Sequence, residues 1–165
     1  MKRNSFLLIL CLFLVQSVYS QNADKIPLDH SVYDSWKELG NTIISNDGIW
    51  VSYEIYPQKG DGWLYLVNME TGKQDSVARG YGAKFSNAGK YLVFKIKPPH
   101  MIVREAKKAK KKKDQMPKDS LGVWVFENDS IHRFERVKSF QISEKEGDWV
   151  VFHNEKKMNF YTLNT

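Results

Sequence analysis

One cysteine, Cys11, occurs in 165 residues, which excludes a disulfide-stapled scaffold and any metal site built on several thiolates. No Gly-x-Ser-x-Gly motif occurs, so the strand–turn–helix that presents the nucleophile of an α/β-hydrolase has no counterpart in this stretch of sequence. The four histidines, His30, His100, His132 and His153, are scattered, with no His-x-x-x-His pair and no neighbouring cysteine; metal-ligand spacing is missing. Long apolar runs are also missing. The longest unbroken run, Phe6–Val15, is about half the roughly 20 residues that a membrane-spanning helix needs. These patterns assign no catalytic, cofactor-binding or metal-ligating residue, and no cofactor is expected. Aromatic residues, in contrast, make up 13% of the chain and hydrophobic residues 42%. That is too many for a disordered chain and enough for a packed core.

The formal net charge of +6 is local in origin. Lys2 and Arg3 contribute at the start, and Arg104, Lys107, Lys108, Lys110, Lys111, Lys112, Lys113 and Lys118 crowd one stretch. The rest of the chain is close to neutral. The lysine-rich stretch invites binding to nucleic acid or anionic lipid. It carries no interleaved aromatic residues for base stacking, and a block of like charges repels itself and stays in water. A solvated helical or disordered arm is therefore expected, and no nucleic-acid partner.

Residues 1–20 have the layout of a cleavable export signal: a basic start, the apolar run, then a small residue, Ser20, before Gln21. The chain is predicted to be exported, periplasmic or secreted, with no stable membrane span after cleavage. Leu8-Ile9-Leu10-Cys11 is a poor lipid-attachment motif, because Leu10 is bulky where a small residue is wanted.

The rest of the sequence repeats. Ile44-Ser45-Asn46-Asp47-Gly48-Ile49-Trp50-Val51-Ser52-Tyr53 aligns with Phe85-Ser86-Asn87-Ala88-Gly89-Lys90-Tyr91-Leu92-Val93-Phe94, and again with Ile142–Phe152 around Gly147. Counting from each glycine, aromatics recur at the second position (Trp50, Tyr91, Trp149) and the fifth (Tyr53, Phe94, Phe152), with Val51, Leu92 and Val150 at the third. Turn-forming side chains and a glycine between β-branched and aromatic runs specify hairpins. In copies two and three the second strand is apolar on both faces, which predicts burial between neighbouring layers. A second hairpin follows in each unit, through Leu64–Met69, Val123–Asn128 and Phe160–Thr165.

Gly48 and Gly89 are 41 residues apart and Gly89 and Gly147 are 58 apart; the excess matches the length of the basic insertion. About 40–45 residues per four-stranded unit is the period of a β-propeller blade, and a β-sandwich is the alternative. The expected fold is all-β: a partial β-propeller of about two and three-quarter four-stranded blades, truncated before ring closure, since propellers close with about four to eight. The expected layout is a signal peptide at 1–20, a lead-in with a short helix at 21–40, and an incomplete propeller at 41–165. Within the propeller, blade one covers 41–80, blade two 81–136 with the basic insertion at 104–120, and the start of blade three 137–165. The face around Trp149, Val151 and Phe160 would be left without a neighbour. The lead-in helix is placed at Ser31–Leu39, with Val32, Trp36 and Leu39 on one face and Gly40 as its stop. Asp61, Asp75 and Asp119 fall in loops or at strand ends, with no spacing that forces a pair together. Gly80-Tyr81-Gly82 reads as a link between blades rather than a phosphate loop, because no helix follows. His153, where the other copies have Glu54 and Lys95, reads as a solvated strand position.

Leu28–Trp36, Ile44–Gly48, Gly60-Asp61-Gly62-Trp63-Leu64-Tyr65 and Met116-Pro117-Lys118-Asp119-Ser120-Leu121-Gly122 after the lysine run resemble the start of exported bacterial serine peptidases of the prolyl oligopeptidase family. The resemblance covers essentially the whole chain after the signal. It implies an amino-terminal, non-catalytic propeller portion whose partners are the remaining blades and a carboxy-terminal α/β-hydrolase domain with a Ser-Asp-His triad, acting on short peptide substrates. No triad position has a counterpart in this chain. Nor does the acidic pair with which dipeptidyl-peptidase propellers hold a substrate amine. The alternative is a non-enzymatic exported β-propeller that binds a protein or cell-envelope ligand.

Overall fold

A computed structural model describes residues 30–34, 36–145, 149–155 and 158–162. The expected signal peptide with Cys11, most of the lead-in, the third glycine turn at Gly147 and the terminal residues 163–165 lie outside the described residues. Among the described residues no helix is long and apolar enough to cross a membrane.

The repeated turn explains its own sequence. The Gly48 N–H donates to the Ser45 carbonyl (2.9 Å), and the Gly89 N–H to the Ser86 carbonyl (3.0 Å). Both glycines have positive φ, 75° and 68°, a conformation in which a Cβ is strained. The serine hydroxyl turns back on the chain. Ser45 Oγ accepts the Trp50 N–H at 2.9 Å and Ser86 Oγ the Tyr91 N–H at 3.2 Å. Serine three residues before the glycine and an aromatic two after it thus close one hairpin. The turns also join one another. Asn46 Nδ2 donates to Asn87 Oδ1 (2.7 Å), and Asn87 Nδ2 donates to the Lys145 carbonyl (2.5 Å).

From these hairpins come three antiparallel meanders in chain order. The first sheet contains β1 (Lys37–Ile44), β2 (Trp50–Pro57), β3 (Trp63–Asn68) and β4 (Gln74–Ala78). The second contains β5 (Gly80–Phe85), β6 (Tyr91–Ile96), β7 (Ser120–Val125) and β8 (Ser130–Phe134), and the third β9 (Val137–Ile142), β10 (Trp149–Asn154) and β11 (Met158–Thr162). The three sheets do not close into a ring. Two helices complete the described elements, α1 (His30–Tyr33) and α2 (His100–Lys108).

Two expectations are corrected here. The lead-in helix stops at Tyr33, and Lys37–Ile44 is a strand. The spacing of Val32, Trp36 and Leu39 suits a helix, but pairing of Lys37, Glu38 and Leu39 with Pro57, Tyr56 and Ile55 wins. Gly40 is not a helix stop. A Cβ there would lie 2.5 Å from the Tyr56 ring, and one at Gly62 would lie 2.6 Å from its other edge; the two glycines form the slot that holds the ring. Gly80–Gly82 is likewise not a link. It opens β5, and the connection from β4 is Arg79 alone, at φ 64°. Between the second and third sheets the step takes two residues, Glu135 and Arg136, with Arg136 at φ 58°.

The core lies in two layers, one on each side of the second sheet. Leu92, Phe94, Ile96 and Trp124 meet Leu64, Leu66 and Val77 of the first sheet. Tyr91, Val93, Leu121 and Val123 meet Val137, Val150 and Phe152 of the third. Alternation along β6 thus serves two neighbours, and Tyr91 through Phe94 are wholly buried. Among the described residues the outer sheets have one covered face each. Trp63, 43% exposed, lies on the uncovered face of the first sheet; on that of the third, Phe160 pairs across from Val151 and is 75% exposed, and Trp149 is exposed as well.

The basic insertion takes the helical form of the expected arm through α2, and from Arg104 to Gln115 every residue is exposed except Ala106, which is buried. Its start is held by Asp61, whose Oδ1 accepts the His100 N–H at 2.8 Å. Its end is closed by Lys110 N–H to the Lys107 carbonyl (3.0 Å) and Lys111 N–H to the Ala106 carbonyl (3.1 Å), with Lys110 at φ 51°. That is the Schellman arrangement, with lysine in the position glycine usually takes.

Candidate functional site

The first strands β1, β5 and β9 line one groove of about 860 Å³, with Ile43, Phe85 and Ile142 among its walls and Asn46, Asn87 and Lys145 at its rim. At the opposite end of the strands, a second pocket of about 490 Å³ opens where Tyr56, Tyr81, Lys97, Asp61, Asp119 and Arg79 meet. Sequence spacing did not bring Asp61 and Asp119 together; the loop after β2 and the approach to β7 do. Asp75 is elsewhere, paired with Lys73 at 3.2 Å.

Each part of this second pocket has a structural cause. Glu54 is 3% exposed. Its Oε1 accepts the Gly82 N–H at 2.8 Å and its Oε2 the Tyr56 hydroxyl. The Tyr81 hydroxyl donates to Asp119. Lys97 Nζ lies 4.9 Å from the Tyr56 ring centre and 4.8 Å from that of Tyr81, a cation between two electron-rich faces. Arg79 Nε donates to the Lys97 carbonyl at 3.0 Å, which fixes the end of β6. Burial pushes both tyrosine hydroxyls above their ordinary value, and the hydrogen bond and charge of Glu54 or Asp119 add to it. Both phenols stay protonated at neutral pH and act as donors. The pocket presents a cation between two rings and carboxylates that already accept hydrogen bonds, and the bond from Gly82 to Glu54 joins the first two sheets.

The position held by Glu54 corrects the expectation for its repeat mates. Glu54 crosses to β5 through Gly82, and Lys95 Nζ, one repeat later, donates to the Lys138 carbonyl on β9 at 2.6 Å. The side chain at this position reaches the first strand of the next sheet. His153, half-buried rather than solvated, shares the outer face of the third sheet with Val151 and with Met158, its partner across the strand pair. His132 stands beside Tyr161 at 5.5 Å. Among the described residues no three His, Cys, Asp or Glu side chains come together to hold a metal ion.

No family model matches the sequence, and no curated protein matches it. Solved structures do. The chain is similar to an acylaminoacyl peptidase from Pyrococcus horikoshii, with 12% identity and a TM-score of 0.51 over 77% of this chain and 18% of that one. It is also similar to the β-propeller domain of the trilobed protease from Pyrococcus furiosus, with 16% identity and a TM-score of 0.49 over 76% of this chain and 38% of that one. A prolyl endopeptidase gives 14% identity and a TM-score of 0.48 over 86% of this chain and 24% of that one. At such identities the likeness is one of fold, and only the first match carries weight. The chain spans well under half the length of each of these proteins. Together with the three successive meanders, the finding defines the fold: consecutive β-propeller blades, mostly β, not closed into a ring.

Proposed function

We propose that this chain is the amino-terminal, non-catalytic propeller portion of an exported serine peptidase of the prolyl oligopeptidase family. The observation that carries the reading is the sealed middle sheet. A blade buried on both faces, between two sheets that each keep an open apolar face, is the packing of a longer ring. The fold match to an acylaminoacyl peptidase supports it, as do the sequence resemblances from Leu28 to Gly122. In the whole protein the groove along β1, β5 and β9 would border the ring's axis and restrict access to small or unfolded peptides. Hydrolysis would proceed by acyl transfer to a serine in a downstream α/β-hydrolase domain, with the blades serving to select substrate by size. His153 and the Trp149–Val151–Phe160 face would receive the next blade, as Lys95 and Glu54 show for the earlier two.

The test is a fluorophosphonate probe applied to the natural gene product, with whatever follows residue 165, and to residues 1–165 alone. The longer product should label on a serine beyond residue 165 and hydrolyse short peptide substrates, and the 165-residue chain should do neither. A natural product that ends at Thr165, or a longer one without a labelled serine, would favour the binding propeller instead.

A further inference from the structure

We propose that α2 and the lysine run that follows it form a docking surface for an anionic lipid bilayer. The surface is independent of any peptidase chemistry. It is prebuilt: Asp61 holds the first turn of α2, Ala106 is packed beneath, and the Schellman turn at Lys110 ends it. The far side of the insertion is tied back as well. Lys118 Nζ donates to the Lys113 carbonyl at 2.9 Å and pairs with Glu155 at 3.3 Å.

Besides the exposed carboxylates Glu105 and Asp114, which seven exposed basic residues outnumber, this scaffold presents two kinds of side chain outward. Met101 and Ile102, 57% and 50% exposed, are bare apolar side chains on a helix whose inner face is already buried. Arg104, Lys107, Lys108 and Lys110 to Lys113 are all exposed. Among the described residues no carboxylate forms an ion pair with any of these seven. Met101, Arg104 and Lys108 follow one another at three and four residues, so they share a stripe of the helix. A cationic stripe with bare aliphatic side chains matches the two layers of a charged membrane surface: basic heads at the phosphates and apolar tips among the upper acyl carbons. Nucleic acid would use the charges but not Met101 or Ile102, and no aromatic residue stands in the run to stack on a base. The charge and the apolar tips together favour lipid.

The experiment uses the full 165-residue chain and vesicles of phosphatidylcholine with or without phosphatidylglycerol, read by co-sedimentation. The variants keep residues 1–29 constant, so any contribution from that segment cancels. Binding should require phosphatidylglycerol and fall with added salt. Replacing Lys110, Lys111, Lys112 and Lys113 together by Gln should weaken it on the order of a thousandfold, and replacing all four by Arg should preserve it. The pair Met101→Ser and Ile102→Ser should weaken vesicle binding while leaving binding to a DNA duplex unchanged. All these positions are exposed, and matching circular dichroism confirms the fold of each variant. Binding that ignores phosphatidylglycerol, or that survives the Gln variant, overturns the proposal. Loss of DNA binding in the Gln variant with vesicle binding indifferent to Met101 and Ile102 would show a nonspecific polyanion site and overturn it too.

Discussion

Phe94→Ala is expected to remove about 3–5 kcal/mol of stability, a large part of the roughly 5–15 kcal/mol that holds a domain together. Phe94 has no exposed surface and belongs to the layer between the first two sheets. Its ring fills the space over Gly122 on the neighbouring strand, where a Cβ would come within 2.5 Å of the ring tip. β6 and β7 are paired through these two residues, so neither strand can move inward to refill the hole without breaking its ladder. Phe160→Ala removes a ring of the same size from a site 75% exposed and should change stability by less than about 0.5 kcal/mol. Urea unfolding followed by tryptophan fluorescence measures both. Equal costs for the two phenylalanines would mean that the second sheet is not the centre of the fold.

Glu54→Ala should cost about 1–3 kcal/mol, because it removes the acceptor of the half-buried Tyr56 hydroxyl and of the exposed Gly82 N–H, and with them the bond between the first two sheets. Glu54→Gln keeps one acceptor oxygen and should cost less. The same cluster makes stability depend on alkaline pH. Tyr56 and Tyr81 have hydroxyls held above the ordinary value near 10 by burial first and by Glu54 and Asp119 second. Below that value both tyrosines are protonated in the folded and unfolded chain, and their contribution to stability is fully present. As pH rises above it, the unfolded chain releases these protons and the folded chain does not, so stability falls. Absorbance at 295 nm should show Tyr56, Tyr81 and Tyr161 titrating above the ordinary tyrosine range in the folded chain, and in Glu54→Ala the Tyr56 step should move to lower pH. A Glu54→Ala chain as stable as the parent would show that the carboxylate does not join the two sheets.

Much of the fold was legible because its repeat is written in turn chemistry. Ser45 and Ser86, Gly48 and Gly89, and the aromatics two residues later are required by the hydrogen bonds that close each hairpin. The continuous apolar run of β6, Tyr91-Leu92-Val93-Phe94, announces a strand with two neighbours. The start of β1 is hidden in the sequence because Val32, Trp36 and Leu39 fit a helical face; the pairing of Lys37 with Pro57 is a tertiary contact that local spacing does not encode. The second pocket was illegible for a related reason. Glu54 is a charge in a strand, and alone it reads as solvated. The available signal was distributed: Gly40 and Gly62 flank the Tyr56 ring, and Gly82 offers an N–H at a bulge in β5. Only the approach of two sheets gives these residues a common purpose. α2 was half legible, since Pro98-Pro99 and the lysines mark an insertion, while its anchoring by Asp61 depends on a loop 39 residues earlier.

The most direct test of the account is amide hydrogen exchange of the intact chain, resolved by peptide. If the second sheet is a blade sealed on both faces, Tyr91–Ile96 and Ser120–Val125 should exchange slowest of all strands. β1 and β11 should exchange fastest, since each is a sheet edge and cooperative opening begins where burial is least. Slowest exchange in β2 and β3, or the same rate in all three sheets, would contradict the stacked-blade arrangement and the propeller reading built on it.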